Sequence, residues 1–376
     1  MRTVWRWALI ALALAGLTPG QPASPCSRQF EEAEAARLAG RLKEAVPLYE
    51  QALRCDPRRA DGWWGLGSLL YEMDRYAEAA EAFRRVTLLA PKKGDAFAML
   101  GLCEALLGRR QQALRHLGQG RRLGLRNDAA FARVVWYHEA MLLLEEGAFG
   151  QAQERFEALA RDGVPAREIA LPLGMATLGI VPPSEPAARA ALRPAAEAAG
   201  QAQYFSARKE TDRAREFWQV FLRDHGSFRN AHFAYGRFLL SIYDDDAAVK
   251  EFQAELARDP RHVLACLGIA GTRAGQDPEF ALPYAEKAVR LAPHLGEAHF
   301  LLGMILLNLG KTGPALKELE EARRLSPREA KVYFQLARAY ARAGRTQEAE
   351  AARRMFQQLG GAGPEPARPA REEKEP

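Results

Sequence analysis

Residues 60–91 read ADGWWGLGSLLYEMDRYAEAAEAFRRVTLLAP. Trp63, Leu66, Gly67 and Leu70 fall on one face of a first helix, Ala79 and Phe83 on one face of a second, and Pro91 ends it for want of an amide donor. Gly67 and Ala79 let the two helices approach closely, and Phe83 fills the space between them. Closing prolines recur at Pro57, Pro91, Pro260, Pro293 and Pro327, with steps of 91 − 57 = 34, 293 − 260 = 33 and 327 − 293 = 34. A helix pair of this size cannot bury its apolar face alone, so copies must stack side by side.

This skeleton resembles the tetratricopeptide repeat, whose first helix carries Trp, Leu-Gly and a bulky residue and whose second carries Ala, Phe and a terminal Pro. Strong matches follow at His299, Leu302, Gly303, Leu306, Ala315, Leu319 and Pro327, and at Tyr333, Leu336, Ala337, Tyr340, Gly344 and Ala349. Others lie at Phe97–Leu117 and His232–Pro260; the first unit shows mainly its second helix (Gly40, Ala45, Tyr49, Ala52), and the unit at Trp136–Phe156 is offset by about five residues. The resemblance implies an all-α fold, a right-handed superhelical solenoid of about nine or ten antiparallel helix pairs. Residues 26–164 and 195–360 read as two arrays, joined through a proline-rich stretch, 165–194, taken as one truncated helix pair and a candidate hinge. A degenerate pair follows it, whose second helix carries Ala214, Trp218 and Leu222.

The chain of 376 residues is long for one compact core, and a continuous array resolves that tension. Arg2 and Arg6 precede an apolar run from Trp7 to Leu17 and then small residues, so residues 1–23 read as a secretory signal peptide and the protein as exported, periplasmic or secreted. The alternative is an uncleaved N-terminal anchor with Trp5 and Trp7 at the interface. The mature chain contains no candidate transmembrane helix. Residues 361–376, rich in Pro, Glu and Arg, read as a disordered tail. Net charge is +6, a mild excess that does not fit nucleic-acid binding.

No catalytic, cofactor-binding or metal-binding constellation emerges. His138-Glu139 begins like a zinc-protease helix but Leu142 stands where the second His belongs, and GQGRRLG at 118–124 has the wrong spacing for a dinucleotide loop. The protein is therefore expected to be no enzyme. Cys26 and Cys55 sit where the ends of two antiparallel helices meet, which in an exported protein calls for a disulfide; Cys103 and Cys266 are expected as buried free thiols. Six arginines between Ala105 and Asn127 (Arg109, Arg110, Arg115, Arg121, Arg122, Arg126), with no acid among them, make one local basic patch.

In the family that this skeleton resembles, the first helices line a concave face. Here that face would carry Trp64, Tyr71, Leu102, Tyr137, Met141 and Leu144 in the first array and Phe233, Phe300, Met304 and Phe334 in the second. Phe30, Glu34, Trp64 and Ser68 stand where some members hold a carboxylate with cations and amides, so that clamp is not matched. The expected partner is a protein or peptide presenting an amphipathic helix or extended apolar segment, with homo-oligomerisation as the alternative use of the face.

Overall fold

The computed structural model describes residues 25–125 and 128–360. The signal peptide expected over residues 1–23, the tail expected over 361–376 and Arg126 of the basic patch lie outside the described residues. Nineteen α-helices make up the secondary structure of the described residues, and the chain divides between His225 and Gly226 into two units.

The first unit opens with four antiparallel pairs: α1 (Pro25–Leu38) with α2 (Leu42–Cys55), α3 (Ala60–Glu72) with α4 (Tyr76–Leu89), α5 (Gly94–Leu106) with α6 (Arg110–Leu123), and α7 (Ala129–Glu145) with α8 (Phe149–Arg161). It closes with α9 (Ala166–Leu178), α10 (Pro186–Ala207) and α11 (Thr211–His225). The second unit is four pairs: α12 (Ala231–Ser241) with α13 (Asp245–Arg258), α14 (Val263–Arg273) with α15 (Pro278–Leu291), α16 (Gly296–Asn308) with α17 (Thr312–Leu325), and α18 (Ala330–Arg342) with α19 (Thr346–Gln358).

Within every pair except α14–α15, one residue in the left-handed region turns the chain. Gly40, Asp74 and Gly108 fill that slot in the first three pairs, and Tyr243, Gly310 and Gly344 fill it in the second unit. The backbone then closes a six-to-one bond back into the first helix, Arg41 N to Ala36 O, Arg75 N to Leu70 O and Arg109 N to Glu104 O, each 2.8 to 2.9 Å long. That pattern satisfies carbonyls that every helix end would otherwise leave bare.

The core follows the repeat. Phe83, with its side chain fully buried, lies 3.1 Å from the point where a Cβ on Gly67 would stand, and Phe252 is held between Gly236 and Gly268 with the corresponding distances at 2.6 and 2.7 Å. At both places the absent side chain is what admits the ring. In α3 and α18 the first helix carries at its fourth position a polar-tipped aromatic that bonds the proline carbonyl six residues earlier: Trp63 Nε1 donates to Pro57 O at 2.9 Å, and Tyr333 Oη donates to Pro327 O at 2.9 Å. Trp136 has Ala130 six residues before it instead, and its indole N–H is buried with no hydrogen-bond acceptor among the described residues. The five-residue offset of that repeat coincides with α7 having 17 residues where α3 and α5 have 13.

The middle of the chain departs from expectation. The truncated helix pair placed within 165–194 and the array boundary at 195 both fall across α10, a single helix of 22 residues that runs through Pro194. Pro194 and Ala190, whose carbonyl loses its intrahelical donor, are both exposed, so water takes that carbonyl and the helix is not broken. Helix α10 packs on both α9 and α11, and Lys209 occupies the left-handed turn slot before α11. On α11 it is Phe221, fully buried with Ala214 and Trp218, that faces the core; Leu222 is only half-buried.

A disulfide joins Cys26 to Cys55 with Cα atoms 5.6 Å apart, and Cys103 and Cys266 are buried free thiols. Burial pushes the Cys103 thiol up to about 12, which keeps it protonated and inert at neutral pH. The Cys26–Cys55 bridge closes a separation of 29 residues, a constraint worth about 2 to 4 kcal/mol. Hydrogen exchange under reducing conditions is expected to show that loss in α1 and α2 alone, because a stack of repeats transmits stability only between neighbours. Uniform loss across α3 to α8, or none in α1, contradicts it.

Candidate partner-binding face

Four of the first helices carry an aromatic residue near their start (Phe30, Trp64, Phe233 and Phe300), and a cation or imidazole from the start of the next pair covers it. Arg59 lies 4.4 Å from the centroid of Phe30, Lys93 lies 4.1 Å from that of Trp64, and Lys331 lies 5.0 Å from that of Phe300. His262 stacks on Phe233 with centroids 4.9 Å apart. In three of these four the partner stands 29 residues after the ring (Phe30 to Arg59, Trp64 to Lys93, Phe233 to His262), so the contact repeats with the fold. Each such contact ties one repeat to the next and removes part of the ring from the open face.

The ten residues expected on that face divide accordingly. Leu102 and Leu144 are 1% and 0% exposed and Phe300 is 7% exposed; these three belong to the core, because neighbouring first helices close over their face. Trp64, Tyr71, Tyr137, Met141, Phe233, Met304 and Phe334 are half-buried. Trp64 meets Phe83 edge-on at 5.3 Å, Tyr137 meets Phe156 at 6.0 Å, Phe233 meets Phe252 at 5.8 Å and Phe334 meets Phe356 at 5.5 Å, so all four rings also pack on second helices. Burial, then the charge of Glu168, pushes the Tyr137 phenol upward.

Met141 lines a recess of about 180 Å³ between the end of α5 and α7. Leu106, Met141 and Leu142 supply apolar wall, His138 supplies an imidazole, and Arg110 and Glu145 form a 3.0 Å ion pair at the same place. Leu106 is 39% exposed, a large side chain left in water beside the opening. Burial holds the His138 imidazole below its usual range, so it is neutral at pH 7. The sequence singled out Met141, weighed His138 only as a metal ligand, and passed over Leu106. Leu106 ends the first helix of its pair at a place where Glu72 and Asn308 stand in other repeats, and that exchange of polar for apolar was the available signal.

Toward the start of the first unit the same face is polar. Arg37 bonds Glu34 through two nitrogens, at 3.1 and 2.5 Å, and reaches Glu72 at 3.8 Å, while Tyr49 donates to Glu34. Burial opposes ionisation of Glu34, but the hydrogen bonds from Arg37 and Tyr49 together outweigh it and lower its pKa; Glu72, where burial dominates, is raised. A second, larger hollow of about 520 Å³ lies among α2, α3 and α4, with Leu53, Trp63, Leu66 and Leu70 beneath Glu50, Glu78 and Glu81.

Comparison with known proteins fits this architecture. The tetratricopeptide-repeat family matches residues 36–103 and again residues 300–364. The chain is a tetratricopeptide-repeat protein. A general transcriptional corepressor, trfA of Dictyostelium discoideum, is 28% identical over 133 residues, which is 34% of this chain and 9% of the corepressor. Among solved structures, MamA from Desulfovibrio magneticus RS-1 (residues 41 to the end) is 21% identical over 44% of this chain and 94% of its own, with a TM-score of 0.42. The APC/C hetero-tetramer Cut9–Hcn1 is 15% identical over 90% of this chain and 80% of its own, with a TM-score of 0.37. Tetratricopeptide arrays are scaffolds for protein–protein interaction, typically without catalysis of their own. No helix of this tetratricopeptide chain, among the described residues, is long and apolar enough to cross a membrane.

Proposed function

We propose that this protein is an exported, non-catalytic scaffold that holds a partner peptide or amphipathic helix on the face of its first helices, anchored by one apolar side chain in the recess between α5 and α7. The observation that carries the reading is that recess: about 180 Å³, walled by Met141, Leu142 and the exposed Leu106, with a neutral imidazole at hand for one hydrogen bond. Its volume suits a single leucine- or phenylalanine-sized side chain, and Met is a wall that adapts to the shape of its guest. The rings covered by Arg59, Lys93 and His262 serve repeat-to-repeat contact, which leaves Met141 and Leu106 to make the specific contact with a partner.

Selection of displayed random peptides on the purified full chain tests this reading. Peptides sharing one aliphatic or aromatic anchor are expected, and Met141→Glu and Leu106→Glu are each expected to weaken them at least tenfold, since either buries a charge against the anchor. Peptides indifferent to both substitutions would overturn the recess as the site. Concentration-dependent sedimentation abolished by the same substitutions would replace the peptide with a second copy of the chain. Export is tested by N-terminal sequencing of native protein: a start near Gln21 or Ser24 in an extracytoplasmic fraction is expected, and Met1 in the cytoplasm rejects it.

A further inference from the structure

The second helices of the first three pairs end on one edge of the first unit, and their last turns combine cations with exposed leucines. On α4, Arg85, Leu88 and Leu89 follow at intervals of three and one residues at the end of the helix, and Lys92 stands in the turn after it. Leu88 is 69% exposed, the largest exposure among the large apolar side chains described, and Leu89 is 38% exposed. One repeat of 34 residues onward, Arg122 and Leu123 stand at the same register as Leu88 and Leu89, and Leu123 is 41% exposed. One repeat back the register holds Arg54, with Arg58 beyond it, both exposed.

These cations differ from several of their neighbours in the first unit. Arg37, Arg75, Arg84, Arg110 and Arg121 each have a carboxylate within 4 Å, whereas Arg54, Arg58, Arg85, Lys92 and Arg122 form no ion pair among the described residues. No acid occupies the registers of Leu88 or Arg85 in the neighbouring repeats, where Arg54, Arg122, Gln51 and Gln119 stand. The edge thus presents cations that form no ion pair among the described residues, interleaved with three exposed leucines, while the acids Glu50 and Glu81 stand one helical turn inward of Arg54 and Arg85.

We infer that this edge docks the protein on the surface of an anionic lipid bilayer, with Arg54, Arg85, Lys92 and Arg122 against the headgroups and Leu88, Leu89 and Leu123 entering the interface. Headgroup phosphates attract Lys and Arg, and the acyl boundary accepts leucine, so one partner satisfies both features at once. An acidic protein or free phosphate satisfies only the first. A peptide-binding groove is not involved, since these residues lie at or just after the ends of the second helices and include none that lines the recess at Met141. The inference is therefore independent of the peptide-binding proposal.

Vesicle co-sedimentation of the full chain tests it, with vesicles of phosphatidylcholine alone and with phosphatidylglycerol added to about one third. Binding is expected only to the anionic vesicles. It should fall about 100-fold in the quadruple variant R54A/R85A/K92A/R122A, because each cation at an anionic surface contributes roughly a fivefold factor and neighbouring ones partly screen each other. In L88S/L89S it should fall about tenfold, with a circular-dichroism melt unchanged in both variants. Unaltered binding by the quadruple variant would overturn the inference, and so would equal binding to pure phosphatidylcholine. If soluble polyglutamate competed fully and L88S/L89S bound like the parent, the edge would be a site for an acidic polymer instead.

Discussion

Adding one methyl group at Gly174 or at Gly200 is expected to separate α9 from α10 and cost about 3 kcal/mol or more. A Cβ built on Gly174 would stand 1.7 Å from the carbonyl oxygen of Ala196, and one on Gly200 would stand 1.8 Å from that of Ala170. Both obstacles are peptide groups within helices, so neither can rotate aside, and the helices themselves must move. Inserting a methylene into a packed core usually costs 1 to 3 kcal/mol; a collision with backbone lies at the top of that range or above it. Because α10 also packs on α11 around Trp218, the disturbance should spread into α11. Chemical denaturation of Gly174→Ala and Gly200→Ala, followed by near-ultraviolet signal from the tryptophans, is the measurement. A change under about 1 kcal/mol in both variants would mean that the two helices are not in backbone contact.

This seam also marks where sequence reading stopped being sufficient. Prolines at 165, 172, 182, 183, 186 and 194 read as a region of broken helices, yet only 165, 182 and 183 lie in connections, while 186 begins α10 and 172 and 194 lie inside helices. Buried Pro172 and exposed Pro194 both lie within helices that continue through them, so residue type alone does not place the breaks. What identifies the segment is the left-handed slot: Gly40, Asp74 and Gly108 recur at steps of 34, and Lys209 and Tyr243 are again 34 apart. With Asp, Lys and Tyr in place of Gly, a search for glycine alone loses the period.

The repeat itself was legible because it rests on volume, which residue names report directly: Gly67, Ala79 and Phe83 can pack in few ways once they lie on two helices. The partner-binding face was legible only in part. Assigning a face by helical phase puts Leu102, Met141 and Met304 at comparable positions, but Leu102 is 1% exposed while Met141 and Met304 are half-buried. How far each first helix is covered depends on the approach of its neighbour, set at α5 by Gly94, Gly101 and Gly120 meeting backbone or Leu117 at under 3 Å from an added Cβ. Trp64 and Tyr137, read as open contact residues, also pack on Phe83 and Phe156, so truncating them is expected to cost stability as well as any binding. Met141 and Leu106 are the cleaner probes of the face.

Replacing Phe252 by Ala is expected to be the most damaging single truncation in the second unit, at about 3 to 5 kcal/mol. Its residue is 1% exposed and its ring lies between two glycines on different first helices, Gly236 on α12 and Gly268 on α14, while Phe233 packs on it at a tilt with centroids 5.8 Å apart. Losing a buried phenylalanine forfeits its transfer energy and leaves a cavity that the surroundings fill only in part. Collapse is hard here, because the glycines that face the ring have no side chains to move inward. The same cavity loosens both neighbours of α13, so the cooperative link between two consecutive repeats weakens as well. Calorimetry of the full chain should show the second unit unfolding earlier, while the first unit, whose equivalent ring is Phe83, keeps its own transition. Phe252→Leu, which retains most of the volume, should recover more than half of the loss. An early transition in the first unit, or equal damage from Leu and Ala, would show that the ring is not the wedge between Gly236 and Gly268.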